Sequence, residues 1–301
     1  MQPIIVDHIQ KNFVKTRAVD DVSFAVDNAE IFGLLGPNGA GKTTIIRIIL
    51  DIFKPDKGTV SILDGPMNEA KKDRIGYLPE ERGLYQDIPL DRCLSYLAGL
   101  KGLSSSETKL RLSKYLERFE LTPHRSKKVK ELSKGMQQKA QLIATLIHEP
   151  EVIIIDEPFS SLDPVNTQMV KDLLDEERHK GRAIVMCTHQ MHQVEELCDR
   201  IVLIDRGRAM LYGTLEEVRS RYATQDILVN ASAPLPHHIP DVDRIEDINT
   251  HKKLILKTGI TAQSVLKELV QQNIPIEHFE IALPSLDEIF IRVVTEGTAK
   301  A

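Results

Sequence analysis

The feature that most constrains this chain is a glycine-rich stretch that links a predicted strand to a predicted helix. The stretch consists of Gly36, Pro37, Asn38, Gly39, Ala40, Gly41, Lys42 and Thr43, with Thr44 directly after it. It fits the pattern G-x-x-x-x-G-K-[ST] of phosphate-binding loops. Apolar residues at 30–35 predict a buried strand before the loop, and the run 43–50 predicts a helix after it. This strand–loop–helix context disfavours the alternative, a chance glycine-rich turn.

The residue types in this loop are those that a polyphosphate requires. Glycines let backbone N–H groups turn inward and approach the phosphates closely. The N-terminus of the following helix adds partial positive charge directed at the same anion. Lys42 can reach the β- and γ-phosphates, and the Thr43 hydroxyl can bind Mg²⁺. The loop therefore predicts that residues 36–44 bind the phosphates of a nucleotide.

The composition limits what such a nucleotide can be used for. A chain of 301 residues accommodates one large domain and a smaller one. No run of about eighteen apolar residues is present, so no segment is predicted to cross a bilayer. The formal net charge of −5 gives no support for a nucleic-acid partner. Three scattered cysteines favour a reducing cytosol over a disulfide framework.

Predicted strands alternate with predicted helices over residues 1–222. The apolar strand segments after the loop lie at 74–78, 152–155, 183–187 and 201–204. This alternation predicts an α/β fold of the P-loop NTPase class with a mostly parallel sheet. Helical periodicity at about 90–148 predicts a helical subdomain inserted in the sheet. Residues 223–301 change in character and predict a small α+β module, for which packing or dimerisation is the expected role.

A second motif consists of two acids at the end of an apolar run. Asp156 follows residues 152–155 directly, and Glu157 comes next. Such a continuous apolar run is typical of a strand in a parallel sheet that is covered on both of its faces. Near a phosphate loop in that sheet, Asp156 could bind Mg²⁺ through water and Glu157 could accept a proton from an attacking water. The alternative is an ordinary strand-to-loop transition, which the presence of the phosphate loop disfavours.

A third motif precedes the two acids and opens a predicted helix. Ser133 is a candidate helix N-cap, and Lys134 and Gly135 follow it. A serine hydroxyl, backbone N–H groups and a helix N-terminus together form an anion site. By itself such a stretch is most often only the start of a helix. Its place between the phosphate loop and the acids makes it informative.

Taken in order, these motifs resemble the ATPase domain of ABC transporters. The resemblance covers about residues 3–222 and also rests on Ser161-Leu162-Asp163 and on His189 after the next strand. In that family two ATPase domains enclose two ATP molecules. Each ATP lies between the phosphate loop of one chain and the signature motif of the other, and the third motif, around Ser133, matches that signature. The resemblance therefore implies a homodimer, or a dimer with a paralogous ATPase subunit.

The resemblance also implies how ATP would be bound. Residues 36–44 and Asp156 would bind ATP and Mg²⁺ within one chain. Ser133 and Gly135 would contact the γ-phosphate of the ATP bound to the partner chain. Phe13 would stack on the adenine ring, an assignment supported only by its offset from the phosphate loop.

Hydrolysis would involve a further set of residues by the same resemblance. Glu157 would be the general base, and Lys42 and His189 would contact the γ-phosphate. The family commonly has Gln after the Tyr-Leu-Pro sequence, where this chain has Glu80. Glu80 can still offer an oxygen to Mg²⁺, but its carboxylate adds a negative charge near the γ-phosphate.

The departures from the commonest pattern are similar to one branch of the family. Residues 75–85, which include Glu80, and the signature Leu-Ser-Lys-Gly-Met resemble the ATPases of bacterial sodium-extrusion (NatA-type) exporters. The sequence at 284–290 is similar to the C-terminal module of that branch. The resemblance implies ATP-driven export, with Na⁺ as the candidate cargo, through a separate polytopic membrane permease. This chain would then lie at the cytoplasmic face of a bacterial membrane, with residues 81–100 near the permease.

Two other classes of function stay open from the sequence. One is an ABC-type ATPase that acts on ribosomes or DNA. Such proteins usually have two ATPase domains in one chain or a long coiled coil, and neither is evident here. The other is a regulatory module that binds nucleotide without hydrolysis, which the presence of Lys42, Asp156, Glu157 and His189 disfavours.

Overall fold

The computed structural model describes residues 2–14, 16–81, 83–224, 226–236, 239–248, 251–257 and 259–299. The chain divides into two compact units, residues 1–215 and 216–301. The division falls between Leu215 and Glu216, whereas the sequence predicted a boundary after residue 222. Within the described ranges, no helix is both long and apolar enough to span a membrane.

The first unit is built on a six-stranded sheet. The strands of this unit, in chain order, are β1 (Ile4–Phe13), β2 (Thr16–Val26), β3 (Ile31–Leu35), β4 (Lys57–Ile62), β5 (Ile75–Leu78), β6 (Val152–Asp156), β7 (Ala183–Cys187), β8 (Arg200–Asp205) and β9 (Arg208–Thr214). The order in the central sheet is β5-β6-β7-β3-β8-β9. Its neighbours are parallel except β8 and β9, which are antiparallel. The predicted fold class, α/β with a mostly parallel sheet, is confirmed.

The strand order explains where a site can form. Strands β3, β6 and β7 are buried along their whole length, as their near-continuous apolar sequences predict. They are consecutive neighbours and run in the same direction, so their carboxyl ends meet at one edge. That edge carries the phosphate loop, the two acids and His189.

A second sheet belongs to the same unit. It is antiparallel, with the order β2-β1-β4, and its inward residues join those of β3 and the first helix in one core. The sequence predicted strands before the phosphate loop but did not reveal that they form a separate sheet. Their pairing with residues 57–62 is long-range and has no local signal.

The helices of this part of the chain include the predicted insert. They are α1 (Lys42–Ile49), α2 (Glu69–Lys72), α3 (Leu90–Leu100), α4 (Ser105–Arg118), α5 (Lys134–Leu146), α6 (Pro164–His179) and α7 (Met191–Leu197). Helix α8 (Leu215–Tyr222) belongs to the second unit except for its first residue. Helices α3, α4 and α5 form the helical subdomain. Helix α4 begins at a capping box in which Ser104 and Glu107 satisfy each other's backbone N–H groups. Helix α5 is buried on most sides, so its polar side chains need partners within the protein.

The second unit is a small α+β module. Its elements are β10 (Ile227–Ala231), β11 (Val242–Ile248), β12 (His251–Leu256), α9 (Ala262–Gln271), β13 (Ile276–Ile281) and α10 (Leu286–Ala299). The sheet is antiparallel with the order β11-β12-β10-β13. Helix α9 buries Val265 and Leu269 against Ile227 and Val229 of this sheet. The apolar periodicity of these segments accounts for the module.

Candidate nucleotide site

The phosphate loop has a backbone that only glycine permits at two positions. Gly36 has φ 148° and Gly41 has φ 111°. A Cβ atom at Gly36 would overlap the carbonyl oxygen of Ile204, and one at Gly41 would overlap that of Ala18. Gly39 also has a positive φ, of 79°, but a Cβ there would meet no heavy atom of the described residues within 4 Å. The loop is therefore packed tightly on two sides and open at its tip.

Lys42 lies at the start of α1 and closes the loop from within. Its Nζ donates hydrogen bonds to the carbonyl oxygens of Gly36, at 2.8 Å, and Pro37, at 3.1 Å. Thr43 and Thr44 follow in the first turn of α1 and are partly exposed, whereas Ala40 is buried. The free N–H groups of this first turn and the Lys42 ammonium provide positive charge at one place, as the sequence predicts for a phosphate site.

Asp156 ends β6 with its carboxylate almost completely enclosed, at 3% exposure. Burial raises the pKa of this carboxyl group above its ordinary value, and a hydrogen bond from the Cys187 thiol opposes that shift. Among the described residues, its Oδ2 atom has no hydrogen-bond partner. A buried, unpaired carboxylate oxygen costs free energy unless a cation or donor meets it. This oxygen is therefore suited to a hydrated Mg²⁺ ion.

Glu157 and His189, predicted separately, form one hydrogen-bonded group with Thr188. The Glu157 carboxylate accepts hydrogen bonds from Thr188 Oγ1 at 3.1 Å and from the His189 backbone N–H at 3.0 Å. It also lies 2.7 Å from Nδ1 of the His189 ring. Glu157 is 12% exposed and His189 is 62% exposed, so the pair has one buried and one accessible member. The group presents a carboxylate oriented by donors from the two residues that directly follow β7.

Glu80 lies at the same edge of the sheet. It is exposed and lines a cavity of ≈ 380 Å³ together with Glu157 and His189. Ser161 and Leu162 of the predicted interface loop line the same cavity. The negative charge of Glu80 adds to the causes that raise the Asp156 pKa. The structure thus brings Glu80 to the acidic pair, as the sequence predicts.

The signature residues lie at the start of α5. Ser133 is exposed and is the N-cap, its Oγ accepting a hydrogen bond from the Met136 N–H at 3.2 Å. A hydroxyl that accepts one hydrogen bond can still donate its own proton, for example to a phosphate oxygen. Gly135 packs on the interface loop, since a Cβ there would lie 2.9 Å from the Ser161 carbonyl oxygen.

Phe13 ends β1 with 44% of its surface exposed. Its ring packs edge-to-face on Phe53, with centroids 5.6 Å apart. The Lys11 Nζ lies 5.9 Å from the centre of the Phe13 ring. An exposed aromatic ring held by a second ring is suited to stacking on a base, which agrees with the predicted role.

Two residues of the site received no role from the sequence. Thr188 stands between Cys187 and His189, and only the folded structure shows its hydroxyl reaching Glu157. Gln138 lies five residues into the signature helix and donates to the carbonyl oxygens of Glu157 and Pro158. No signal in the sequence singled out Gln138, because Gln137, Lys139 and Gln141 of the same helix are polar as well.

Comparison with known proteins identifies the family. The family model described as ABC transporter matches residues 19–160. A second, described as the C-terminal domain of DrrA1-3-like ATP-binding proteins, matches residues 213–294. The ABC transporter ATP-binding protein YhaQ of Bacillus subtilis is 36% identical over 97% of this chain and 98% of its own length. The chain belongs to the ABC transporter ATP-binding proteins.

Two further Bacillus subtilis proteins resemble this ABC ATPase. The linearmycin resistance ATP-binding protein LnrL is 30% identical over 95% of this chain and 96% of its own length. The ABC transporter ATP-binding protein NatA is 33% identical over 70% of this chain and 87% of its own length. The predicted family is thereby confirmed, and with it an ATPase that binds ATP and couples its hydrolysis to transport.

Solved structures agree with this fold. The ATP-binding subunit of an ABC transporter superposes with a TM-score of 0.69 and 32% identity, over 73% of this chain and 92% of the other. The protein cbiO1 of Clostridium perfringens, part of the ABC transporter complex cbiONQ, gives 0.64 and 26% identity over 73% and 92%.

Proposed function

We propose that this ABC ATPase powers export through a separate membrane permease and that it hydrolyses ATP with Glu157 as the base. The observation that carries the proposal is the group formed by Glu157, Thr188 and His189 at the edge of the sheet next to Asp156 and the phosphate loop. A carboxylate held by three donors is oriented before substrate arrives. Such preorganisation is the main source of catalysis in phosphoryl transfer.

Glu157 and His189 have different proposed roles in hydrolysis. Glu157 orients the attacking water and accepts its proton, while the accessible His189 ring contacts the γ-phosphate. In the structure the ring is paired with the Glu157 carboxylate. When a γ-phosphate approaches, the His189 ring gives up its hydrogen bond to Glu157 and contacts the phosphate instead. One Glu157 carboxylate oxygen then becomes available to the attacking water.

Mg²⁺ is the proposed metal partner of ATP. When bound, it neutralises phosphate charge and orients the γ-phosphate. Asp156, with its unpaired Oδ2 atom, and the Thr43 hydroxyl at the start of α1 are the residues that would hold it, with Glu80 nearby. Among the described residues, no three His, Cys, Asp or Glu side chains are arranged to hold a metal ion. The remaining oxygen ligands would therefore come from the nucleotide and from water.

A second copy, or a paralogous subunit, is proposed to complete each site. The exposed Ser133 at the N-terminus of a 13-residue helix offers a hydroxyl and backbone N–H groups to a phosphate outside its own chain. Gly135 keeps this helix start close to Ser161 of the loop predicted at the interface. Turnover per chain should therefore fall on dilution, and a constant turnover far below the dimer dissociation constant would contradict the dimer.

The proposed permease contact is a groove beside Glu80 in the helical subdomain. It has a volume of ≈ 330 Å³ and is lined by apolar residues that include Leu84, Leu97 and Leu100. Tyr96 and Leu100 are 52% and 59% exposed, an unusual exposure for large apolar side chains that are near one another. Four of the residues that line this groove, Gly83, Leu84, Leu97 and Leu100, fall within residues 81–100, where the sequence predicts the permease. This overlap supports peripheral attachment at the cytoplasmic face of the membrane.

The permease contact can be tested by co-purification. Leu100→Ser should reduce recovery of the membrane permease that co-purifies with the wild-type chain, because it removes apolar surface from the groove. Leu110→Ser is the matched control, since Leu110 is equally exposed, at 60%, on a different helix. Equal recovery with both variants would count against docking in this groove.

We propose Na⁺ as the exported cargo. The proposal is supported by the resemblance of residues 75–85 and of the signature motif to sodium-extrusion ATPases, and by the match to NatA. Export of an antibiotic is the second candidate, because LnrL matches nearly the full chain, including the C-terminal module, whereas NatA matches 70%. The ATPase and its permease, reconstituted in vesicles, should move ²²Na⁺ in the presence of ATP. If the complex instead confers linearmycin resistance and moves no Na⁺, the second candidate is correct.

The ATPase site itself is tested with two substitutions. Glu157→Gln removes the base but keeps the side-chain size, so it should lower kcat by about 10²-fold or more. It should also trap a dimer with ATP bound. Lys42→Ala should weaken ATP binding, because it removes the ammonium from the loop. Wild-type turnover in both variants would refute the site assignment.

A further inference from the structure

Two adjacent glutamines on α5 have different partners. Gln137 and Gln138 are both buried, at 8% and 5% exposure. Gln137 Nε2 donates to the carbonyl oxygens of Val129 and Leu132, at 3.2 and 3.0 Å, within the helical subdomain. Gln138 Nε2 instead donates to the carbonyl oxygens of Glu157 and Pro158, at 3.2 and 3.1 Å. Gln138 therefore joins the signature helix to the loop that carries the proposed base.

Two of the loop residues that α5 contacts, Glu157 and Ser161, have a strained backbone. Glu157 has φ 53° and Ser161 has φ 63°, in the left-handed region that is uncommon and costly for non-glycine residues. The Glu157 carbonyl oxygen accepts the hydrogen bond from Gln138. The Ser161 carbonyl oxygen occupies the space left by the missing side chain of Gly135. Helix α5 thus supports both strained positions.

We propose that Gln138 is a positioning residue for Glu157, an inference that rests on the proposed role of Glu157 as the base. The Glu157 N–H donates to the Cys187 carbonyl oxygen at 2.8 Å, and the Glu157 carbonyl accepts from Gln138. The backbone of Glu157 is therefore held from both sides, by β7 and by α5. This double attachment fixes the direction in which the carboxylate leaves the backbone.

The attachment also links two sites. Ser133 begins the same helix in which Gln138 lies, one turn further on. A phosphate that binds at Ser133 displaces or stiffens the first turn of α5, and Gln138 transmits that change to Glu157 in the same chain. Each chain would thereby couple the ATP held at its signature to the base that acts on the ATP of its own phosphate loop.

Gln138→Met tests this role, with Gln137→Met as the matched control. Methionine keeps the length of the side chain but removes the donor, so each variant loses two buried hydrogen bonds from neighbouring positions of one helix. Both variants should lower the melting temperature to a similar extent. Only Gln138→Met should lower kcat, by about 10²-fold, with KM for ATP unchanged, because a base displaced by about 1 Å costs that much.

A double-variant cycle separates positioning from general damage. In a Glu157→Gln background, Gln138→Met should reduce the residual kcat by less than about 3-fold, since no base remains to be positioned. If Gln138→Met does not fold, Gln138→Glu replaces it, because this side chain keeps the volume and presents oxygen to the same carbonyls. Equal kcat for the Gln137 and Gln138 variants, or an equal loss in both backgrounds, would overturn the inference. Wild-type turnover of Glu157→Gln alone would instead overturn the proposed function.

Discussion

The tight packing of the phosphate loop gives a quantitative prediction for one glycine. In Gly41→Ala the new Cβ atom would lie less than 3.0 Å from the backbone carbonyl oxygen of Ala18, in a residue with φ 111°. The positive φ costs an alanine about 1–2 kcal/mol. The steric overlap with a strand backbone adds about 1–3 kcal/mol, as overpacking does elsewhere. Reduced freedom of the unfolded chain returns about 0.4–1 kcal/mol.

The expected net loss for Gly41→Ala is therefore about 1–5 kcal/mol of unfolding free energy. For a unit of this size, each kcal/mol lowers the melting temperature by about 2–4 °C, so we expect a decrease of roughly 2–18 °C. Gly39→Ala is the internal control. Its φ of 79° carries a similar cost, but within the described residues its Cβ meets no heavy atom inside 4 Å. Its expected loss is about 1 kcal/mol.

Thermal unfolding should be measured without nucleotide, so that the melting temperatures of both variants report only on the stability of the protein and not on nucleotide binding. Calorimetry or circular dichroism should show Gly41→Ala melting several degrees below Gly39→Ala. Equal melting temperatures would refute the reasoning, because they would mean that the loop relaxes away from Ala18 without cost. The glycine at 41 would then be required by nucleotide binding alone.

Three further predictions concern two buried ionisable groups, His148 and Asp156, and the contact of Gly135 with the loop at Ser161. Burial and the nearby Lys101 charge lower the pKa of His148 to about 4 from 6.5, so the unfolded chain binds the proton more tightly. Unfolding free energy should therefore fall between pH 6.5 and pH 4, by up to about 3 kcal/mol, and His148→Gln should flatten that slope in urea titrations. Asp156→Asn should abolish Mg²⁺-dependent hydrolysis yet raise the melting temperature without ligand. The reason is that burial raises the Asp156 pKa, so its ionised form destabilises the fold at neutral pH; a lower melting temperature would contradict this. Gly135→Ala should lower kcat more than ATP affinity in single-turnover assays, since its Cβ would press on the Ser161 carbonyl 2.9 Å away; an unchanged kcat would show that the loop moves freely.

Local sequence patterns were sufficient for the elements and for the chemistry that each motif carries. The continuous apolar run 152–155 indicated a fully buried strand, because a strand covered on both faces has no polar side to show. The loop 36–43 indicated a phosphate site, since its glycines, lysine and threonine each meet a separate requirement of a polyphosphate. Ser133 was identified as an N-cap, and its hydroxyl accepts the expected hydrogen bond.

The relations between motifs were decided by tertiary structure. No periodicity in the sequence places β7 between β3 and β6, yet that order is what brings His189 and Thr188 to Glu157. Likewise Gln138 is nineteen residues from Glu157 in the chain, and its bond depends on how α5 packs. The separate sheet formed by β1, β2 and β4 also depends on long-range pairing. Side-chain partners across strands and helices follow from packing of the whole core, whereas a loop that binds phosphate is specified by its own few residues.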